Sequence, residues 1–244
     1  MADALAIVEV YPQLLGTYGD RGNTIALAHR ARARGITCRV VEVGLDDAMP
    51  TSGDIYVLGG GEDSAQVLAA RSLFADDAAA STLVASTTLA VCAGLQLLSR
   101  SFQDAAGEPR PGLGLLDVDC DRMPGRAVGE VVAEPVDLPE VPTLTGYENH
   151  RGGARLGPEA RPLGRLVAGV GNGDALTEGA VQGTIVATYL HGPVLVRNPA
   201  LADLLLARAV GHLPEYHDRA VERLRAERLD AADPRHRSRQ PLGR

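Results

Sequence analysis

The segment Thr87-Thr88-Leu89-Ala90-Val91-Cys92-Ala93-Gly94-Leu95-Gln96-Leu97-Leu98 constrains this chain more than any other. Its β-branched, apolar first half predicts a buried strand, and the residues after Cys92 form helices readily, so strand passes into helix with no loop between them. A turn that sharp forces its apex residue into strained φ/ψ and leaves room only for small neighbours. Ala90 and Gly94 are those neighbours, two residues either side of Cys92. The bend lifts the Cys92 sulfur above the sheet edge and aims the first N–H groups of the next helix at it, where they favour a thiolate and can hold an oxyanion. A buried core cysteine is the alternative reading of a free thiol.

The surrounding pattern sets that turn in an α/β fold, a doubly wound, mostly parallel sheet flanked by helices. Strands are expected at Leu5–Val10, Cys38–Val43, Asp54–Leu58, Thr87–Val91 and Thr184–Leu190. Helices are expected at Asn23–Arg34, Asp63–Ala70, after Cys92, and at Ala200–Val210. Residues 107–185 are rich in Gly and Pro with short alternating pieces such as Val128–Val132, which predicts an antiparallel edge and long surface loops. The chain divides into a main domain, 1–213, and an extension, 214–244, made of a charged amphipathic helix over Tyr216–Leu229 and a disordered arginine-rich tail from Asp233 to Arg244.

Composition removes several functions. A net charge of -7 argues against general nucleic-acid binding. No run of eighteen apolar residues and no charged-then-apolar leader are found, so neither a membrane span nor a signal peptide is expected. The cysteines, Cys38, Cys92 and Cys120, lack CxxC spacing, which points away from disulfides and a metal site and toward a reducing cytoplasm. All 24 basic residues are arginine. A Walker A loop, a Schiff-base lysine and a lysine general base are therefore excluded.

A nucleophilic sulfur needs a base. His191 ends the Thr184–Leu190 strand, and the carboxyl ends of strands are where doubly wound sheets place their sites. His150, in Glu148-Asn149-His150-Arg151, is the second candidate; His29 fits an exposed helix face, and His212, His217 and His236 fall near the C terminus. Gly59-Gly60-Gly61 after the third strand can bring bare N–H groups to a ligand, or can simply form a tight turn. A dinucleotide site on Gly16, Gly19 and Gly22 with Glu42 as the ribose acid is disfavoured, because the glycines fall at G-x-x-G-x-x-G.

Gly59-Gly60-Gly61, Cys92-Ala93-Gly94-Leu95-Gln96 and Tyr189-Leu190-His191-Gly192-Pro193 resemble the motifs of class I (triad) glutamine amidotransferases, in order and spacing. Tyr18-Gly19-Asp20-Arg21-Gly22-Asn23 and Gly146-Tyr147-Glu148-Asn149-His150 narrow the resemblance to the cobyric-acid-synthase-like branch, and within it to the glutaminase subunits of lipid II isoglutaminyl synthases. The resemblance spans about residues 5–210. It implies that Cys92 attacks the side-chain amide of L-glutamine, that His191 shuttles the proton, and that Ala93 with Gly60 or Gly61 holds the oxyanion. It also implies that Gln96 binds glutamine and that Arg126 pairs with its α-carboxylate.

One departure stands out: many members of the superfamily carry a Glu two places after the histidine, where this chain has Pro193. Asp20 is the substitute candidate, with capping of the following helix as its alternative role; a Cys–His dyad is the other possibility. The resemblance implies no cofactor on this chain. It implies a MurT-like, Mur-ligase-family partner that uses ATP and Mg to amidate D-glutamate in the lipid II stem, at the inner membrane surface, with the Tyr216–Leu229 helix as a docking candidate. The alternatives are a γ-glutamyl hydrolase or peptidase of the same fold, a glutaminase serving another synthetase such as cobyric acid synthase, and a non-catalytic binding subunit.

Overall fold

The computed structural model describes residues 4–233. Its strands and helices follow in the order β1 (Leu5–Val10), α1 (Arg21–Ala33), β2 (Cys38–Val43), β3 (Ile55–Leu58), α2 (Asp63–Ala75), α3 (Ala79–Ala85), β4 (Thr87–Val91) and α4 (Ala93–Leu98). They continue with β5 (Ser101–Gln103), β6 (Pro109–Pro111), β7 (Val118–Pro135), β8 (Leu144–Leu156), β9 (Gly164–Ala168), β10 (Thr177–Glu178), β11 (Ala180–Gln182) and β12 (Ile185–Thr188). Three helices close the chain: α5 (Val194–Arg197), α6 (Pro199–Val210) and α7 (Arg219–Ala232).

The main sheet runs β11-β12-β4-β3-β1-β2 and is parallel except for the edge strand β11. Its central strands β3, β4 and β12 are buried on both faces because both faces are covered, whereas β2 at the edge is largely exposed. Alternate residues serve opposite layers, as a side-chain period of two demands. Val8, Val10, Tyr56, Leu58 and Ala90 pack toward α2, α3 and α4, whereas Ile7, Ile55, Val57, Leu89 and Val91 pack toward α1, α5 and α6. The carboxyl ends of β12, β4, β3 and β1 lie side by side, and four loops open there: after Thr188, at Cys92, at Gly59-Gly60-Gly61 and at Thr17–Gly19.

Residues 107–185 supply the expected antiparallel edge as β11, but most of the stretch is sheet rather than long surface loops. Its other strands belong to a second sheet, β10-β9-β7-β5-β6, in which β8 also pairs β7. Val128–Val132 is the middle of the 18-residue strand β7, paired with β8 as a long antiparallel hairpin. Pro124, Gly125, Gly129, Gly146, Gly152 and Gly153 sit inside this hairpin, where the register slips between Arg122 and Ala127. Met123-Pro124-Gly125-Arg126 is the bulge, since Pro124 has no N–H for the ladder. Backbone bonds join the two sheets at one functional position: His191 N–H donates to Tyr147 O at 2.8 Å and Tyr147 N–H to His191 O at 3.1 Å.

Other boundaries differ modestly. α2 runs five residues beyond Ala70 to Ala75, and α3 is a further helix, set off by Asp76-Asp77, beyond those expected from the sequence. β12 stops at Thr188, so His191 stands three residues past the strand rather than at its end. The charged helix is Arg219–Ala232, capped by Asp218, whose side chain accepts from Ala220 and Val221 N–H. The tail expectation for 234–244 lies outside the described residues.

Gly94 lets α4 lie against β3. A Cβ there would stand 2.6 Å from Leu58 O and 2.9 Å from Leu58 Cβ. Gly94→Ala is expected to cost about 2 kcal/mol, seen in thermal unfolding as about a 5 °C loss of Tm. An unchanged Tm would mean that the turn is not tightly packed.

Candidate active site

Cys92 has φ 53° and ψ −101°, a conformation rare for a residue with a side chain. Neighbouring strands hold it there: Cys92 N–H donates to Thr188 O at 2.8 Å, and Gly94 N–H donates to Gly59 O at 3.2 Å. The small residues at positions 90 and 94 are buried against this bend.

His191 and Asp20 are both buried, and His191 Nδ1 lies 3.0 Å from Asp20 Oδ2 and 3.2 Å from Oδ1. Nδ1–H therefore points at the carboxylate, which leaves Nε2 for the Cys92 side. Nε2 is buried and has no nitrogen or oxygen partner among the described residues. A Cβ on Gly60 would lie 2.7 Å from His191 Cε1, 3.1 Å from Asp20 Oδ2 and 3.5 Å from Cys92 Cβ. Three side chains thus converge on one glycine. Burial pulls the imidazole pKa down, but the hydrogen bond to Asp20, followed by the interaction with Cys92, outweighs it, and His191 is pushed up to about 10.

The opening loop explains how Asp20 reaches this position. Asp20 precedes α1 but makes no side-chain cap bond. Its Oδ2 instead accepts Gly60 N–H at 2.7 Å as well as facing His191. Tyr18, at φ 59°, stacks edge-on against the His191 ring with centroids 5.1 Å apart. Gly22 abuts Pro193, where a Cβ would come within 2.2 Å of Pro193 Cγ, and Asn23 Oδ1 accepts Leu195 N–H at 2.9 Å. Pro193 is thus the surface on which the Asp20 loop docks.

One assignment needs correction. Gly60 N–H is donated to the Asp20 carboxylate, so it is not available to an oxyanion. Gly61 and Ala93 have no backbone partner for their N–H groups among the described residues, and they are the pair left to serve.

Beside Cys92 opens a cleft of about 330 Å³. Gln96 and Arg126 both line it. Gln96 Oε1 accepts Gln66 Nε2–H at 2.6 Å, and Gly152 makes room for its amide, since a Cβ there would lie 2.0 Å from Gln96 Nε2. Arg126 is aimed into the cleft by the β7 bulge; Nε donates to Asn149 Oδ1 at 2.6 Å and Nη2 to Tyr18 Oη at 3.2 Å. The carboxylates of Glu62, Asp63 and Asp121 share the cleft with Arg122, Arg126 and Arg151, so it presents both signs of charge.

His150, the second candidate base, is buried elsewhere in the wall. Its ring stacks on Tyr189 at 3.9 Å, Nδ1 lies 2.8 Å from Gly152 O, and Nε2 faces Glu148 Oε2 at 3.4 Å. Cys120 also borders the cleft, but burial pushes its thiol up to about 12, which keeps it protonated and unreactive. The motifs include Tyr18, Asn149 and Tyr189, with Gly152 close by, but spacing gave none of them a task; Gln66 was missed, and no local signal marks it.

Residues 6–199 match the CobB/CobQ-like glutamine amidotransferase domain. The chain belongs to that family. Among curated proteins, this amidotransferase is 32% identical over 238 residues to "Lipid II isoglutaminyl synthase (glutamine-hydrolyzing) subunit GatD" of Streptococcus pneumoniae, covering 93% of this chain and 91% of that protein. It is 33% identical over 209 residues to the subunit of the same name from Staphylococcus aureus, covering 84% of each. A solved glutamine amidotransferase shares the fold, with a TM-score of 0.53 at 20% identity over 83% of this chain and 98% of that one.

If Asp20 orients His191, Asp20→Asn is expected to lower glutaminase kcat by about 10²–10⁴-fold with an unchanged far-UV spectrum. The fall of rate at high pH, expected near 10 in the unaltered protein, should move to lower pH in this variant, because the hydrogen bond that raises His191 is lost. A kcat within twofold of the parent removes Asp20 from the chemistry.

Proposed function

We propose that this amidotransferase is the glutaminase subunit of a lipid II isoglutaminyl synthase. In this reading it hydrolyses L-glutamine through a Cys92 thioester and passes ammonia to a MurT-like, ATP- and Mg-dependent ligase subunit that amidates D-glutamate of the peptidoglycan stem. The observation that carries the reading is the Asp20–His191 pair beside Cys92, at the mouth of a cleft holding Arg126, in a chain similar to GatD subunits over most of its length.

In this reading each step has a residue to perform it. The zwitterionic head of glutamine is held by Arg126 through its α-carboxylate, and the side chain lies along Gln96 toward Cys92. The Cys92 thiolate adds to the amide carbon, and the resulting oxyanion takes N–H bonds from Ala93 and Gly61. His191 gives its Nε2 proton to the departing nitrogen as the C–N bond breaks, which leaves a thioester and neutral ammonia. The now neutral imidazole takes a proton from water, whose oxygen adds to the thioester carbonyl. Breakage of the C–S bond then frees the γ-carboxylic acid, which gives its proton to solvent to become glutamate, and restores thiolate and imidazolium. Asp20 holds the tautomer and offsets the imidazolium charge throughout.

Ammonia production without an acceptor is unproductive, and a chain without lysine has no P-loop of its own. Both points support a partner subunit that carries the nucleotide chemistry, in a heterodimer at the cytoplasmic face of the membrane. No helix among the described residues is long and apolar enough to cross a membrane. In this reading α7, exposed along much of its length, contributes to docking. Removal of residues 212–244 is expected to weaken co-purification of the partner, and unaltered assembly would discard that role for α7.

A glutamine-analogue electrophile should label Cys92 and no other cysteine, as read by peptide mass. In the two-subunit complex, Cys92→Ala should abolish glutamine-dependent amidation while leaving amidation from added ammonium salt intact. Labelling elsewhere, or retained glutamine-dependent amidation, would overturn the proposal.

A further inference from the structure

Glu178 is a buried carboxyl with no part in the reaction described above. It closes β10 in the second sheet, yet its side chain works on the main sheet. Oε1 accepts a hydrogen bond from Thr188 Oγ1–H and another, at 2.9 Å, from Tyr189 N–H. Thr188 Oγ1 in turn accepts Leu190 N–H at 3.0 Å. The three residues that lead to His191 are therefore tied to one carboxyl group. Thr188 also offers its carbonyl oxygen to Cys92 N–H, at 2.8 Å.

The approach of Glu178 to β12 is itself secured. Gly179, at φ 61°, passes so close that a Cβ would stand 2.3 Å from Ala187 O. Asn172 clamps that turn from the other side, accepting Gly179 N–H and donating to Gly179 O, both at 2.9 Å. Beyond the backbone, Tyr189 carries the restraint into the cleft wall: its ring stacks on His150, and its phenol lies 3.9 Å from Cys120 Sγ.

We infer that Glu178 is a positioning residue for the glutaminase reaction: its carboxyl locks the end of β12 and thereby sets both the strained backbone of Cys92 and the loop that presents His191. This rests on the glutaminase reading above. A purely architectural role explains the arrangement poorly. Glu178 Oε2 is buried without a hydrogen-bond partner among the described residues, and burial pushes the carboxyl up against the pull of the Thr188 and Tyr189 bonds. An apolar residue would fill that space without the desolvation cost. Strained conformations persist only where the surroundings over-determine them, and the strain in this case lies at the Cys92 backbone that Thr188 holds.

The test compares Glu178→Leu, which removes the acceptor, with Glu178→Gln, which keeps one, in the full chain assembled in its two-subunit complex. Two rates are read: glutamine hydrolysis, and alkylation of Cys92 by iodoacetamide followed by peptide mass across pH 5 to 10. For folded Glu178→Leu we expect kcat to fall by about tenfold or more with KM little changed, the Cys92 alkylation profile to shift along the pH axis, and Glu178→Gln to recover most of both. Wild-type kcat and an unshifted profile in Glu178→Leu, or no recovery in Glu178→Gln, would overturn the inference. Should Glu178→Leu not fold, Thr188→Val takes its place; a wild-type alkylation profile in that variant overturns the inference, and a shifted one supports it. If the unaltered two-subunit complex fails to hydrolyse glutamine, the glutaminase reading falls, while the alkylation profiles still decide whether Glu178 positions Cys92.

Discussion

A strand that turns directly into a helix must hold one residue where a side chain does not want to be, and here that residue is Cys92 at φ 53°. Such a conformation costs about 1–3 kcal/mol, and the rest of the main sheet is arranged to retain it. β12 on one side accepts the Cys92 N–H, and the turn after β3 on the other accepts the Gly94 N–H. The strand order β12-β4-β3-β1 then makes the geometry of the site follow from the geometry of the sheet. Four neighbouring carboxyl ends deliver the imidazole, the sulfur, the glycine turn and the Asp20 carboxylate to one place.

Asp20 carries two of these relations at once. The same carboxylate faces His191 and accepts Gly60 N–H, so the glycine turn and the imidazole are fixed against each other rather than separately against the sheet. Proline at 193 fits this solution. With the carboxylate that faces His191 supplied by the loop after β1, the position two residues past the histidine becomes a packing surface for Gly22. The second sheet has a different task, that of shaping the cleft. Its bulge turns Arg126 inward, and Gly152 leaves room for Gln96. Cationic and anionic side chains both line the result, as recognition of a zwitterionic amino acid requires.

Much of this was legible beforehand for a definite reason. Parallel strands buried on both faces read as apolar runs, and the Cys92 turn announces itself because strand-forming and helix-forming residues meet at one cysteine with small neighbours. The hairpin of β7 and β8 was not legible, because Pro124 and Gly125 sit in a bulge and Gly129, Gly146, Gly152 and Gly153 in the ladder itself rather than in turns, and composition does not separate these cases. Glu178 escaped notice because a single acid before a glycine has no periodicity to betray it; only its burial does.

By itself the sequence determined the α/β class, the sulfur at the strand-to-helix turn, the absence of any lysine-based chemistry, and the resemblance that suggested a role for each motif. Those properties reside in local spacing and residue type, which survive unfolding. Which acid faces His191, which glycine N–H is left for an oxyanion, and which of two histidines stands with Cys92 were settled only by the tertiary structure. Each depends on contacts between loops that are distant along the chain and adjacent only once β12, β4, β3 and β1 have paired.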